Sequence, residues 1–204
     1  MKKIIVFTAI LLLTTGSLKA QELFITPFAG YTFADGFNFN RGRAKIGDGF
    51  TYGGIISYVV DNRMSLELTY SREDCHAMAY SSYWGIDVYE PISANYILVG
   101  GSRLLPFSEK FSAFIGPNIG VGIYSGKSGD VGTKTKFAFA LNGGCRYMFT
   151  DRVGFRIQAN LNMPITDVGG SLWWDSTSGT SVGISSRVPF VQFGFTGGLT
   201  FNIN

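Results

Sequence analysis

Between Val153 and Met163 every second residue is apolar: Val153, Phe155, Ile157, Ala159, Leu161 and Met163. Gly154, Arg156, Gln158, Asn160 and Asn162 stand between them. A strict period of two places the two sets on opposite faces of a β-strand and fits no helix. In a soluble sheet the apolar face turns inward against a core. In a membrane barrel the same face turns outward to lipid. The rest of the chain has to decide between these placements.

Seven further segments show the pattern. They are Glu22 to Phe33, Phe50 to Val60, Met64 to Ser71, Ile92 to Leu105, Phe111 to Tyr124, Lys136 to Phe149 and Pro189 to Ile203. The third opposes Met64, Leu66, Leu68 and Tyr70 to Ser65, Glu67, Thr69 and Ser71. The last opposes Val191, Phe193, Phe195, Leu199 and Phe201 to Gln192, Gly194, Thr196, Gly198 and Thr200. The fourth, "ISANYILVGGSRLL", alternates less cleanly. Three connections are tight turns, "DNR", "PFSEK" and "TDR". The four between them are long and polar and are expected to be loops. Eight strands, short turns at one end and long loops at the other describe an antiparallel up-and-down transmembrane β-barrel.

Three properties favour lipid over a dry core. The apolar face is bulky on almost every strand, and its charges, Arg72 and Arg187, stand near loop ends. A Lys or Arg at mid-bilayer on that face costs about 2–4 kcal/mol. The opposite face is rich in Gly, Ser, Thr and Asn, which suits a narrow polar interior. The strands approach the ~9–11 residues needed to cross the hydrocarbon at a tilt, and barrel closure pairs every backbone group, as lipid requires. Charged residues are 15% of the chain, against about 25% in ordinary soluble proteins. A soluble lipocalin-like binder is the competing all-β architecture.

The first twenty residues, "MKKIIVFTAILLLTTGSLKA", read as a secretory signal: Lys2 and Lys3, an apolar run from Ile4 to Leu13, and Ala20 at the cut. The expected division is residues 1–20 signal peptide and residues 21–204 barrel, delivered to the outer membrane of a Gram-negative cell. Without the signal the chain carries 14 basic and 14 acidic residues, so its charge implies no nucleic-acid partner. Cys75 and Cys145 form neither a disulfide framework nor a metal site. No cofactor, metal or catalytic group is expected.

Residues 21–204 resemble the small eight-stranded outer-membrane β-barrel proteins of the OmpA/OmpX type. The resemblance rests on the strand pattern and on "TGGLTFNI", where Thr196, Gly198, Phe201 and Ile203 fill the places of that family's terminal assembly signal. Many members end on Phe, whereas this chain ends on Ile203-Asn204. The resemblance implies an outer-membrane lipid surround and recognition by the outer-membrane assembly machinery. With the chain ending at strand eight, no peptidoglycan-binding domain is expected.

Four groups of residues are candidates for function. Glu67, Arg103, Arg146 and Arg156 lie three or four residues from the tight turns and are expected together in the lumen near the periplasmic end. They form either a gate or, by the costs of a lone buried charge, a plug of salt bridges. Arg41, Arg43 and Lys45, in "RGRAK", offer cations to lipopolysaccharide phosphates. His76 lies near Asp74, Ser81, Ser82, Asp87 and Glu90, the residue types of a lipid-modifying enzyme, but in no recognisable spacing. Trp173-Trp174 and Tyr83-Trp84 suit an interfacial aromatic belt or a contact patch for a ligand or host surface, and Tyr52, Tyr58, Tyr70, Tyr96 and Tyr147 suit the belt as well.

The functional expectation is a non-enzymatic barrel whose extracellular loops contact a surface or ligand, or support the envelope. The alternatives are a transporter of small apolar molecules with a lateral opening near Pro117, and a lipid A-modifying barrel enzyme. Free ion conduction is not expected, because an eight-stranded barrel is filled by its own side chains.

Overall fold

The computed structural model describes residues 22–39, 42–61, 63–81, 86–126, 133–164 and 191–204. The signal segment, Arg41, Ser82, Tyr83-Trp84, Trp173-Trp174 and Arg187 lie outside the described residues.

Ten strands form one antiparallel sheet. They are β1 (Leu23–Thr32), β2 (Asp35–Phe39), β3 (Gly42–Ile46), β4 (Gly49–Asp61), β5 (Met64–Ser81), β6 (Ile86–Pro106), β7 (Phe111–Gly126), β8 (Lys134–Met148), β9 (Val153–Pro164) and β10 (Gln192–Asn202). Eight of them close on themselves in the order β1, β4, β5, β6, β7, β8, β9, β10, with β10 pairing back onto β1. Full closure leaves these eight staves without an edge. This is the eight-stranded transmembrane barrel that the alternation implies.

The turn sequences hold one end. In "DNR" the Asp61 carboxylate accepts the Arg63 amide at 2.7 Å. In "PFSEK" the Phe111 carbonyl accepts the amides of Phe107 and Ser108 at 3.0 and 3.1 Å. In "TDR" the Thr150 hydroxyl accepts the Val153 amide at 3.1 Å. Local side-chain and backbone bonds of this kind let a few residues reverse the chain.

At the other end the structure differs from the expected loops. β5 and β6 continue as a ladder well beyond their barrel neighbours, pairing Cys75 with Ile92 and Ser81 with Ile86. Most of the second long connection is therefore strand. The first connection contains the β2–β3 hairpin, whose inner strand pairs with the β5 extension, Arg43 opposite Tyr80 and Ile46 opposite Ala77. The result is a four-stranded blade, β2-β3-β5-β6, standing on one side of the barrel mouth. Its base holds a small apolar cluster of Ile46, Cys75, Ala77 and Ile92.

The two faces of the wall divide as the alternation demands. Ile56, Leu66, Leu68, Ile97, Ile119, Ile157, Phe193 and Phe195 are exposed on the outside. Thr26, Ser57, Asn142, Gln158, Thr196 and Thr200 are buried on the inside. The interior is not uniformly polar, however. Phe24, Val59, Leu104 and Phe114 pack together near the tight turns, with Met148 against them, and close the tight-turn end of the lumen with an apolar layer.

Candidate functional site

Immediately beyond that apolar layer the lumen carries its charges. Glu67 enters from β5 and Arg156 from β9, four staves apart around the ring and therefore on opposite walls. Their side chains meet in a bidentate pair, Arg156 Nη1 to Glu67 Oε1 at 2.7 Å and Nη2 to Oε2 at 3.0 Å. Both residues are almost completely buried, 2% and 4% exposed. Ser57 of β4 donates its hydroxyl to Glu67 Oε1 and accepts from Arg156 Nη1, both at 3.2 Å. Arg156 Nε donates to Gln158 Oε1 at 2.8 Å, Gln158 to Asn160 at 2.6 Å, and Asn160 to Thr196 at 3.0 Å.

The guanidinium groups also rest on the apolar layer. Arg156 lies 3.8 Å from the Phe114 ring centroid and Arg146 lies 4.0 Å from that of Phe24. Both distances are well inside cation–π range. Arg146 stands opposite Arg156 in the β8–β9 register, so two cations share the neighbourhood of one carboxylate. A forked Arg–carboxylate pair satisfies both oxygens at once, which is what a charge pair removed from water requires.

Arg103 is not part of this group. Ser102 and Leu104 are buried, whereas Arg103 between them is exposed on the outer wall. It pairs with Met64 on one side and Ile115 on the other. The distance to the "PFSEK" turn sets its depth but not its face. The face follows strand phase, and in this strand both sets are apolar: Tyr96 and Leu98 inside, Ile97 and Val99 outside. Tyr96, expected in the aromatic belt, is inside for the same reason. Tyr52, Tyr70 and Tyr147 are exposed on the outer wall.

A second transverse bridge crosses the outer half of the lumen, and sequence reasoning missed it. Tyr96 of β6 donates to Gln192 Oε1 of β10 at 3.2 Å, again across four staves. Gln192 Nε2 donates to Glu73 Oε1 at 3.0 Å. The Tyr96 and Tyr124 hydroxyls are 2.8 Å apart. Glu73 could have been found from the third strand's inward set by extending its alternation past Ser71.

The remaining candidates lie on the blade. Lys45 of β3 is exposed, and Arg43 stands two positions before it on the same strand. The His76 ring stacks on Tyr89 at 4.9 Å between centroids, and the Asp74 carboxylate accepts from Arg72 at 3.2 Å. Among the described residues His76, Asp74 and a serine are not brought into one hydrogen-bonded set. At the foot of the blade the Tyr31 hydroxyl donates to Asp48. That bond, the Asp48 backbone amide and nearby Lys45 together hold the Asp48 carboxyl below the usual carboxylate range. No group of three or more His, Cys, Asp or Glu among the described residues could hold a metal ion.

The terminal motif forms the closing seam. Thr196 is buried inside, Phe201 and Ile203 are exposed to the outside, and Gly198 lies opposite Phe28 of β1. Near Pro117 the β6–β7 ladder omits two pairs. Gly100 opposite Asn118 and Arg103 opposite Ile115 nonetheless keep one register across the gap, so the wall stays in phase there.

Solved structures share this architecture. Neisserial surface protein A (NspA) superposes with a TM-score of 0.63 at 12% identity, covering 91% of this chain and 100% of its own. The outer membrane protein OprG from Pseudomonas aeruginosa superposes with a TM-score of 0.57 at 12% identity, covering 89% of this chain and 96% of its own. No family model and no curated protein matches the chain. The chain has the fold of the small eight-stranded outer-membrane β-barrels.

Proposed function

We propose that the protein is a non-enzymatic barrel of the Gram-negative outer membrane that works through its extracellular face, making surface contacts or supporting the envelope. The observation that carries this reading is the contrast between a closed lumen and a projecting blade. The lumen is filled by the Phe24–Phe114 layer and the Glu67–Arg156 bridge above it, which supports anchoring and not conduction. The blade continues the β5–β6 ladder from Cys75 to Ser81, with an added hairpin beside it. A regular, hydrogen-bonded platform orients side chains better than a loose loop. Lys45 and Arg43 on β3 suit the phosphates of lipopolysaccharide as one class of contact.

Removing the blade tests this. A chain in which residues 77–90 are replaced by an Asn-Gly turn, with the 34–47 hairpin shortened likewise, retains all eight staves. It is expected to fold in the membrane, judged by heat-modifiable migration on SDS gels, and to lose surface binding and envelope support in cells lacking the native protein. Full complementation by the truncated barrel overturns the proposal. Transport of apolar molecules would instead require a lateral opening, and the in-phase β6–β7 register lends that reading no support.

A further inference from the structure

We propose that the outer half of the lumen contains a binding site for a small monovalent cation of the sodium class, built around Glu73 and completed by Gln192, Tyr96 and Tyr124. Glu73 is 1% exposed. Its Oε1 accepts from Gln192 Nε2, while its Oε2 has no hydrogen-bond partner. Among the described residues no Lys or Arg pairs with it, in contrast to Glu67, whose two oxygens are both held by Arg156. The Cys75 thiol beside it is at most a weak donor. A buried carboxylate without a compensating positive charge is costly.

The hydrogen bonds around it run in one direction. Tyr96 has one hydroxyl proton and donates it to Gln192 Oε1. Its 2.8 Å contact with Tyr124 therefore has Tyr124 as the donor. The chain Tyr124 to Tyr96 to Gln192 to Glu73 thus delivers donors toward the carboxylate, an arrangement suited to a negative charge at its end. Apart from the Gln192 amide nitrogen and the Cys75 sulfur, the polar atoms gathered here are oxygens: a carboxylate, an amide carbonyl and two phenols. Such a set suits hard alkali or alkaline-earth cations and not soft transition metals. One carboxylate supplies one negative charge, so a monovalent ion neutralises the site and a divalent ion leaves it positive. The proposal is independent of the surface-contact reading.

The full barrel reconstituted in lipid vesicles provides the test. Its thermal unfolding is followed in sodium chloride and in N-methyl-D-glucamine chloride at equal ionic strength, with sodium-23 NMR relaxation as a second readout. Above saturation each tenfold rise in sodium raises the folded-to-unfolded ratio about tenfold by mass action. Substitution Glu73→Gln keeps the bond from Gln192, removes the charge, and is expected to abolish both the sodium dependence and the excess relaxation. Substitution Tyr96→Phe, which leaves the carboxylate in place, is expected to weaken sodium severalfold and guards against failure of the first variant to fold. Indifference of the native protein to sodium overturns the proposal and assigns the charge balance to a bound proton. Retention of the dependence in Glu73→Gln overturns it as well, by placing the ion elsewhere.

Discussion

Glu67 and Arg156 stand on diametrically opposite staves of the barrel and grip each other across its full width, 2.7 and 3.0 Å between their paired atoms. The pair ties β5 to β9 directly, although neither strand borders the other. Removing one partner leaves the other charge buried and alone, which costs about 3–5 kcal/mol. Substitution Glu67→Gln is expected to approach that loss, because Arg146 and Arg156 then face each other in register without a carboxylate between them. The double variant Glu67→Leu, Arg156→Met removes both charges and should recover much of the stability, as apolar replacement of a buried pair often does. Urea unfolding in vesicles, read by tryptophan fluorescence or gel mobility, measures both.

The same region should set the permeability of the barrel. Two different obstructions lie in series: the aromatic layer containing Phe24 and Phe114, and the charge bridge that rests on it. The native protein is expected to show no steady conductance in planar bilayers. Glu67→Ser alone leaves the aromatic layer, and Phe114→Ala alone leaves the bridge, so neither single change should open a path. Only the combination should pass ions. Conductance from the native chain, or from either single variant at the level of the double, contradicts this arrangement.

How much of this was legible in the sequence depends on where side-chain contrast was strong. Val153 to Met163 could be read directly, because large apolar residues alternate with polar ones and phase alone fixes both faces. Glu67 and Arg156 could be placed inside by the same argument, and their turn distances put them at one depth. The partnership itself needed closure of the ring, which no local pattern encodes. Arg103 was misplaced because Tyr96 to Val99 is apolar on both faces and Gly100-Gly101 adds no contrast. The blade reads as loop in the sequence because Cys75 and Ala77 are small, so the inner face of the β5 extension carries little hydrophobic signal. The polar-interior expectation also missed Phe24 and Phe114, which serve as seats for guanidinium groups.

The corrected position of Arg103 has its own consequence. It lies on the outer wall beside Met64, the first residue of β5, close to the tight-turn end of the barrel. An arginine near the interface costs only about 0–1 kcal/mol on a barrel's lipid face, and its long stem lets the charge reach the polar layer. Substitution Arg103→Leu is therefore expected to change stability by no more than about 1 kcal/mol. Arg156→Leu, an identical chemical change on the inner face, should destabilise by about 3–5 kcal/mol. Parallel unfolding curves in the same vesicles decide the point, and equal losses at the two positions would return Arg103 to the lumen.

The closing seam between β1 and β10 offers the sharpest local test, because two adjacent glycines there differ in what a methyl group would meet. At Gly198 an added Cβ would collide with the Pro27 carbonyl oxygen and the Phe28 Cα, both backbone atoms of β1. At Gly197 the nearest atoms, the Arg156 carbonyl oxygen and Ile157 Cγ1, lie 3.9 and 4.0 Å away, ordinary contact distances. The inner glycine lets the last strand approach the first closely, whereas the outer one has space beside it. Substitution Gly198→Ala must push the strands apart at the seam, an overpacking strain of about 1–3 kcal/mol. Substitution Gly197→Ala should be neutral or stabilising by a few tenths of a kcal/mol, since alanine narrows the unfolded ensemble without a clash. Because the ring cannot close until β1 and β10 pair, the inner variant should also fold more slowly from urea into vesicles, seen as delayed appearance of the heat-modifiable band. If both alanines behave alike, the close approach of β1 and β10 at Gly198 is not what limits closure.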